Sequence, residues 1–490
     1  MLRLGLLVNR LRSSGLLVRA IGVADEVEVE RLVQDSRSVG PRTLFVAIRG
    51  PAADGHLFID KAVENGAIAI VCEAMPGDPS EGYPGVAVVI VTDTRAALAD
   101  LAAAAHGDPS SRLDMVGVTG TNGKTTTTFL VHHLLNGLGI RCGLLGTVQV
   151  DLGGEPVPAR LTTPDALELA MYLRTMVDAG CLACAMEVSS HALEQQRVRA
   201  IDFDVGVFTN LTAEHLDYHG TEQAYFEAKK KLFDRLKPDA VALYNVDDPQ
   251  GRAMVANTRA RRVAYGRSQA AELRLRVVAN ALSGLELEID GHGRAFGLVG
   301  LFNAYNLAAA YGTGIALGLD REIVLDTLAR AGPVPGRFEQ IPLADGRMAI
   351  VDYAHTPDAL ENVLQTIDEL RPKQARVWCV FGCGGDRDRL KRPQMGRIAE
   401  SYADRVVVTS DNPRTEDPEA IMSEIRSGFQ RPEDAWWIPD RREAISRVAK
   451  ESRPGDVILI AGKGHETFQL VGDERIPFDD RAVVREVFGR

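Results

Sequence analysis

The feature that most constrains how this chain can fold is Gly117-Val-Thr-Gly-Thr-Asn-Gly-Lys-Thr-Thr126, set between the apolar run Met115–Thr119 and the helical stretch TTTFLVHHLLNGLG. A strand that ends in a glycine-rich turn and opens directly into a helix aims backbone N–H groups and the positive helix end at one point, which suits phosphate. Gly120, Thr121, Asn122, Gly123, Lys124, Thr125 and Thr126 are the expected nucleotide contacts. Lys124 would neutralise β/γ-phosphate charge, and Thr125 would offer its hydroxyl to Mg²⁺. The strict GxxxxGK[ST] pattern calls for glycine at 118, where this chain has Val118. A purely structural glycine turn is the competing reading.

A strand–loop–helix unit needs a sheet to belong to, and the rest of the chain supplies one. Short apolar, β-branched runs recur with helical stretches between them: VAVVIV at 86, MVGVT at 115, CAMEV at 184, VGVFT at 205, VALYN at 241, AIVDY at 349, VWCVF at 377, VVVT at 406 and VILIAG at 457. This rhythm predicts an α/β protein with parallel sheets, whose ligands bind at the carboxyl ends of the strands. A length of 490 residues implies about three domains. The polar segments 106–114 and 331–340 read as linkers, dividing the chain into 1–108, 109–334 and 335–490. The expected architecture is an N-terminal α/β domain, a central P-loop mononucleotide-binding parallel sheet and a C-terminal Rossmann-like α/β domain. RLRVVAN and GLELEID, within 268–298, suggest a small β insertion in the middle domain.

Composition excludes several classes. A net charge of −11 argues against a general nucleic-acid binder, so any anionic ligand must meet local positive charge. Arg3, Arg10 and Arg12 interrupt the apolar start, and no later run approaches membrane-spanning length, so neither a signal peptide nor membrane insertion is expected. Six scattered cysteines form no disulfide framework or zinc pattern, which fits a reducing cytoplasm. The lone CxxC, Cys181 to Cys184, runs into the apolar AMEV and reads as buried thiols.

Polar clusters follow several of the strands. Met186-Glu-Val-Ser-Ser-His191, Leu193-Glu-Gln-Gln-Arg197 and Thr209-Asn-Leu-Thr-Ala-Glu-His-Leu-Asp-Tyr-His-Gly220 carry the oxygen and imidazole donors a hard cation needs. His191 and His219 stay open between a ligand and a structural role. The lysine trio in Tyr225-Phe-Glu-Ala-Lys-Lys-Lys-Leu-Phe233 reads, on spacing alone, as a solvated basic helix face. Asn303, Asn306 and Arg337, the last after Pro335-Gly336, are explained as well by capping and turn chemistry as by a ligand. In the C-terminal third, Phe381-Gly-Cys-Gly-Gly-Asp-Arg-Asp388, Asp411-Asn-Pro-Arg414 and Ala461-Gly-Lys-Gly-His-Glu466 each follow an apolar strand, so three loops should meet at one edge.

TGTNGKTT resembles the variant phosphate loop of the Mur ligases and of their relative folylpolyglutamate synthetase, and characteristic motifs continue in order from Ser36 to Glu466. The resemblance implies ATP-dependent amide synthesis: a carboxylate takes the γ-phosphoryl group to give an acyl phosphate, and an amine displaces phosphate. It implies that Glu187 and His215, with Thr125, hold Mg²⁺, and that Lys229 carries a carbamate formed from CO₂ and becomes a further metal ligand. That reaction needs a neutral amine, and crowding by Lys230 and Lys231 and a nearby metal is the expected cause. Ser189, Gln195 and Arg197, with Thr162 and Thr163, would face the acceptor, although Leu161 stands where some relatives carry a polar group. Asn303 and Asn306 would lie near the adenine, Arg337 would touch the nucleotide, and His355 would orient phosphate.

The segment Asp35–Ala47, with Gly50 and Asp54-Gly-His56, is similar to the UDP-binding domain of the muropeptide ligases, with Ser36 as a uridine-diphosphate contact. Folylpolyglutamate synthetase lacks such a domain. Asp411-Asn-Pro-Arg414 resembles the quartet of the family members that add meso-2,6-diaminopimelate, and the physics agrees. Diaminopimelate differs from lysine by a second carboxylate, which an arginine fork pairs with bidentately. Arg414 would grip that carboxylate, Asp411 and Asn412 would orient the distal ammonium, Pro413 would stiffen the loop, and Arg387, Gly462 and Glu466 would complete the pocket. The implied substrates are ATP, UDP-N-acetylmuramoyl-L-alanyl-D-glutamate and meso-2,6-diaminopimelate, handled by a monomer. A lysine-adding or folylpolyglutamate-type ligase is the near alternative. A P-loop ATPase or GTPase switch that binds a partner is the distant one, and Asp411–Arg414 as a plain capped turn the bland one.

Overall fold

The computed structural model describes residues 2–50, 53–75 and 83–489. Its centre is a sheet in which Cys142–Leu145, Ala183–Glu187, Asp114–Thr119, Val205–Phe208, Val241–Asn245 and Arg261–Gly266 lie side by side and parallel, in that order. Strands covered on both faces read as unbroken apolar runs rather than alternating ones, and these do. Asp114–Thr119 has Ala183–Glu187 on one side and Val205–Phe208 on the other. The phosphate loop and the clusters after Glu187 and Phe208 therefore leave the sheet at the same edge.

The helix Lys124–Gly137 buries Leu130, Val131, Leu134 and Leu135 in a core shared with Leu307, Ala308 and Tyr311 of the helix Leu301–Ala316. The expected β insertion is an antiparallel meander, Leu273–Ala281, Gly284–Ile289 and His292–Phe296, and it continues the main sheet through the pairing of Tyr265 with Leu273. Two short antiparallel strands, Gln149–Asp151 and Val157–Pro158, extend the opposite edge.

Before this unit, Leu17–Ile21, Ala87–Val91, Ala67–Cys72, Thr43–Val46 and Arg31–Val33 form a five-stranded sheet, antiparallel only at its first strand. Helices Leu4–Ser13 and Thr94–Ala105 cover one face and Ile59–Glu64 the other. After it, Met348–Asp352, Val457–Ala461, Val377–Phe381, Arg405–Val408 and Trp436–Trp437 are parallel, and Glu339–Pro342 pairs antiparallel at the edge. Helices Pro357–Leu370, Lys391–Tyr402 and Pro418–Arg426 pack on one face, and Arg441–Glu451 with Asp480–Phe488 on the other. Three α/β units, the last doubly wound, are the architecture the sequence implied.

All six cysteines are free and buried, Cys181 and Cys184 among them. Among the described residues, no helix is long and apolar enough to cross a membrane.

Candidate active site

Close approach explains the glycines of the phosphate loop. At Gly120 (φ 150°) a Cβ would lie 1.8 Å from Thr209 Oγ1, and at Gly123 (φ 86°) 2.4 Å from Asn306 Oδ1. Thr121 N–H donates to Asn210 O at 2.9 Å and Asn122 N–H to Asn210 Oδ1 at 2.9 Å, tying the loop to the neighbouring strand end. Asn306 donates to Asn303 Oδ1 at 3.1 Å and accepts from Thr127 at 3.4 Å, while Asn303 donates to Val299 O at 2.8 Å. The structure thus sets both asparagines beneath the loop as a brace. Thr126 is buried in the first turn of the helix.

Two lysines meet at one backbone oxygen. The Gly120 carbonyl accepts from Lys124 Nζ at 2.9 Å and from Lys229 Nζ at 2.7 Å, and Lys124 donates also to Thr121 O at 2.7 Å. Lys229 is 1% exposed and lies 4.4 Å from the centre of the Tyr225 ring. Burial holds its pKa well below that of an ordinary lysine, and the charge of Lys124 lowers it further. The expected crowding by Lys230 and Lys231 is not the cause: Lys230 pairs with Asp234, and Lys231 with Glu194. The i, i+1 and i+2 positions of a helix face different ways, which is why the sequence neighbours are not the spatial ones.

One residue in this cluster was quoted in the sequence without a role. Glu214 receives the Tyr225 hydroxyl at 3.5 Å, and Tyr225 in turn lies 3.2 Å from Thr121 Oγ1. Burial pushes the Glu214 carboxyl up, but His215, Lys124, His355 and Lys229 outweigh it and leave the pKa lowered. Its signal was available: it is the acid beside His215 in a loop at the carboxyl edge of the sheet.

Glu187 ends its strand buried, accepting Thr147 N–H at 2.7 Å and the Thr147 hydroxyl at 3.1 Å. Thr147 also reaches Thr162 at 3.1 Å, and Thr163 donates to Glu187 O at 2.8 Å and meets Ser189 Oγ at 3.3 Å. Arg197 donates to Thr163 O at 2.9 Å and to Gln195 Oε1 at 2.7 Å. The proposed acceptor residues therefore form one connected wall. His215 sits in a left-handed conformation (φ 56°), its Nε2 3.8 Å from Glu214, with the His191 ring 4.8 Å away. Burial lowers His191 to about 4; its ring lies against Tyr218, and His219 is within hydrogen-bond distance of Ser190 Oγ, at 3.0 Å.

Among the described residues, no three His, Cys, Asp or Glu side chains converge as a ready metal cage. The candidate donors are instead sparse and oxygen-rich: the Thr125 hydroxyl and the Glu187 carboxylate, with the His215 imidazole. That set fits Mg²⁺, which keeps several waters and leans on phosphate oxygens rather than on a full protein cage.

The C-terminal unit reaches into this site. Arg337 donates to Thr125 Oγ1 at 2.9 Å, with its guanidinium 4.6 Å above the Tyr353 ring. His355 Nδ1 lies 2.8 Å from Tyr353 O, and Lys391 donates to the His355 carbonyl at 2.7 Å. Burial, then Lys391, lowers His355 to about 4, so its imidazole is neutral at neutral pH.

The three C-terminal loops do meet. Asn412 donates to Glu466 Oε2 at 2.8 Å, and the Asp411 carboxylate lies against the Gly462 backbone, where a Cβ would come within 3.3 Å. Arg414 (φ 52°) donates to Gly385 O at 2.5 Å, and its backbone pairs with the hairpin strand Phe468–Val471 through Leu470 O at 3.0 Å and Gly472 N at 2.7 Å. Gly385 is required by Pro413, whose carbonyl would lie 1.9 Å from a Cβ. Burial and then the charge of Arg387 lower the pKa of Arg414, and both side chains come against Gly384, where a Cβ would lie 3.0 Å from Arg414 Nη1 and 3.8 Å from Arg387 Cγ. Crowded cations of this kind call for an anion.

Ser36 stands apart from all of this. It opens a short 3₁₀ turn capped by Asp35 in the N-terminal unit, and its carbonyl accepts from Asn65 at 3.4 Å. A cleft of about 1150 Å³ opens where the three units meet, lined by Arg31 and Val33, by Arg160 and Asp165, and by Phe468 and Arg475 among others; Ser36 does not line it.

Fold and site together define a nucleotide-dependent ligase scaffold: a phosphate loop at the edge of one sheet, joined through Arg337 and Thr125 to a second, doubly wound sheet whose loops gather Asp411, Asn412, Arg414 and Glu466. The chain belongs to the Mur ligase family. It matches the Mur ligase family catalytic domain over residues 28–106, the Mur ligase middle domain over 118–314 and the Mur ligase glutamate ligase domain over 336–464. It is 45% identical to UDP-N-acetylmuramoyl-L-alanyl-D-glutamate--2,6-diaminopimelate ligase of Cytophaga hutchinsonii, over 94% of this chain and 95% of that protein. The same-named ligase of Geobacillus thermodenitrificans is 44% identical, over 94% of each. A solved structure of UDP-N-acetylmuramoyl-L-alanyl-D-glutamate--2,6-diaminopimelate ligase superposes with a TM-score of 0.67 at 34% identity, covering 96% of each chain. Folylpolyglutamate synthase of Mycobacterium tuberculosis, solved with ADP and AMPPCP, shares the fold at 20% identity, with a TM-score of 0.63 over 81% of this chain.

Proposed function

We propose that this protein joins meso-2,6-diaminopimelate to the D-glutamate γ-carboxylate of UDP-N-acetylmuramoyl-L-alanyl-D-glutamate at the expense of ATP, in the making of peptidoglycan precursor. The observation that carries this reading is the Arg414–Arg387 pair beside Asp411, Asn412 and Glu466, on a Mur scaffold. That pocket offers cations to one carboxylate and anions to one ammonium, which is the distal end of diaminopimelate.

The ATP phosphates lie on the Gly120–Thr126 backbone, with Lys124 against the β/γ oxygens and Arg337 at the nucleotide. Thr125, Glu187 and His215 would hold Mg²⁺, which when bound neutralises phosphate charge and brings the two anions together. Glu187, Thr162, Thr163, Ser189, Gln195 and Arg197 position the acceptor, and Ser36 holds its uridine diphosphate. The acceptor carboxylate oxygen bonds to the γ-phosphorus as the bond to ADP breaks. The diaminopimelate amine then attacks the acyl carbon, loses a proton, and inorganic phosphate leaves. His355 orients the phosphate. Lys229, whose pKa burial depresses, takes up CO₂ in its neutral form, forming an N–C bond and releasing a proton to solvent, and the resulting carbamate would serve as an anionic ligand. The units 1–108, 109–334 and 335–490 act on UDP, ATP and amino acid respectively, in a cytoplasmic monomer.

The test is the substrate dependence of ADP release. Turnover should require both acceptor and diaminopimelate, and Arg414→Ala should abolish diaminopimelate use while nucleotide binding persists. A site whose buried polar groups are left unpaired rejects the lacking analogue by roughly 10⁴. Equal turnover with lysine would overturn the specificity, and hydrolysis independent of any amine would point to an ATPase switch.

A further inference from the structure

Lys463, in the loop after the strand Val457–Ala461, is fully buried. A charge held that far from water must have its donors and its charge matched. Lys463 Nζ donates to Asn412 Oδ1 at 3.0 Å and to Glu466 Oε2 at 2.9 Å, and lies 3.6 Å from Asp411 Oδ1. All three partners are residues assigned above to the amine substrate, and none of the roles given to them uses this lysine.

Two consequences follow from the contacts. An amide has a donor end and an acceptor end. Because Asn412 Oδ1 accepts a hydrogen bond from Lys463 Nζ, and another from Leu470 N–H at 3.0 Å, its Nδ2 is turned to Glu466 Oε2 at 2.8 Å. A flipped Asn412 would set its NH₂ against the ammonium. The second consequence is charge. Asp411 and Glu466 are two anions; Lys463 offsets one of them, leaving a single negative charge for a single ammonium. Arg387 and Arg414 stay available for a carboxylate. Without Lys463 the same pocket would carry one more net negative charge and favour a plain cation.

We infer that Lys463 is a positioning residue that orients Asn412 and Glu466 and sets the pocket charge, so that a distal ammonium–carboxylate pair is selected over a lone ammonium. The inference rests on the ligase reading above. Its test is the full-length protein as wild type, Lys463→Met and Lys463→Gln, assayed for KM toward diaminopimelate, lysine and ATP. In Lys463→Met, the KM for diaminopimelate should rise at least about tenfold and the KM for ATP move less than about twofold. The preference for diaminopimelate over lysine, as a ratio of kcat/KM, should fall at least about tenfold. Lys463→Gln, which keeps a donor but not the charge, should recover part of the diaminopimelate KM and little of the preference. In an Asn412→Ala background, Lys463→Met should raise the diaminopimelate KM by less than it does in the wild type, because only the share carried by Glu466 and by the pocket charge remains.

An unchanged preference in both variants, or equal changes in the KM for ATP and for diaminopimelate, overturns the inference. So does failure of both variants to fold, which would make Lys463 a residue of the fold alone. A wild-type protein that releases no ADP with diaminopimelate counts against the ligase reading itself, a result separate from any effect of the variants.

Discussion

The side chain of Asn122, in the phosphate loop, donates to the Asp358 carboxylate at 2.6 Å, and Thr212 donates to the same oxygen at 3.3 Å. Asp358 lies in the first turn of the helix Pro357–Leu370, so one carboxylate ties the nucleotide loop to the C-terminal unit. A displacement of about 1 Å at a reacting centre costs up to 10²-fold in rate. Asp358→Ala should therefore lower kcat by at least about tenfold while the protein stays folded. Single-turnover and steady-state ADP release measure this; an unchanged kcat would show that the bond does not matter to the reaction.

Lys229 shares the Gly120 carbonyl with Lys124 and is held below the ordinary lysine range by burial and by that neighbour. A depressed pKa enlarges the neutral fraction of the amine, the form that is nucleophilic toward CO₂. Activity should thus fall in CO₂-depleted buffer and return with bicarbonate, and Lys229→Arg, whose guanidinium does not deprotonate, should be inactive at any bicarbonate level. Activity indifferent to bicarbonate would remove the carbamate from the mechanism.

The parts of the site that sequence made legible are those in which chemistry and local geometry coincide. Gly120 to Thr126 could be read because a strand, a glycine turn and a helix are contiguous in the chain, and each apolar run from 115 to 457 reappears as a strand. Contacts made across the fold were out of reach. Nothing in the sequence places Lys124, rather than Lys230, beside Lys229, because the two meet only when the strand Asp114–Thr119 packs beside the helix Glu222–Asp234. Lys463 was hidden for a similar reason: a lysine in a glycine-rich loop looks solvated until the Asp411–Asn412 loop packs against it from another strand end. The 268–298 segment shows the converse, since its β character was plain but its continuation of the main sheet depends on the pairing of Tyr265 with Leu273.

Three histidines are held neutral by burial: His191 and His355 at about 4, and His465 at about 3. In the unfolded chain each protonates near 6.5. Their folded values are depressed, so their contribution to stability is complete above about 6.5 and is lost as pH falls toward the folded values. Each group can tilt stability by at most about 1.4 kcal/mol per pH unit in that window. Urea midpoints should fall between pH 7 and 5.5, before most carboxylates titrate, and His465→Gln should flatten that slope. An identical slope in the variant would assign the acid sensitivity to other groups.

Arg392 braces two of the C-terminal loops from beneath. Fully buried, it donates to Glu416 at 2.8 and 2.9 Å, to Glu424 at 2.8 Å and to Gly384 O at 3.2 Å. Its hydrogen bond holds Glu416 down at about 2. Arg392→Met keeps the volume but leaves Glu416 and Glu424 facing each other. Breaking a fully buried pair costs roughly 3–5 kcal/mol. Both glutamates touch solvent here, so a loss of about 2 kcal/mol at pH 7 is expected. The sign with pH is fixed by the depressed folded value: the Glu416 contribution is present above its unfolded value near 4.5 and is lost as pH falls toward about 2. The gap in urea midpoint between wild type and Arg392→Met should therefore be widest near pH 7 and narrow below pH 4.5, as Glu416 in the variant takes up a proton and the repulsion is relieved. A gap that stays constant from pH 7 to 3 would mean that the arginine contributes packing rather than charge.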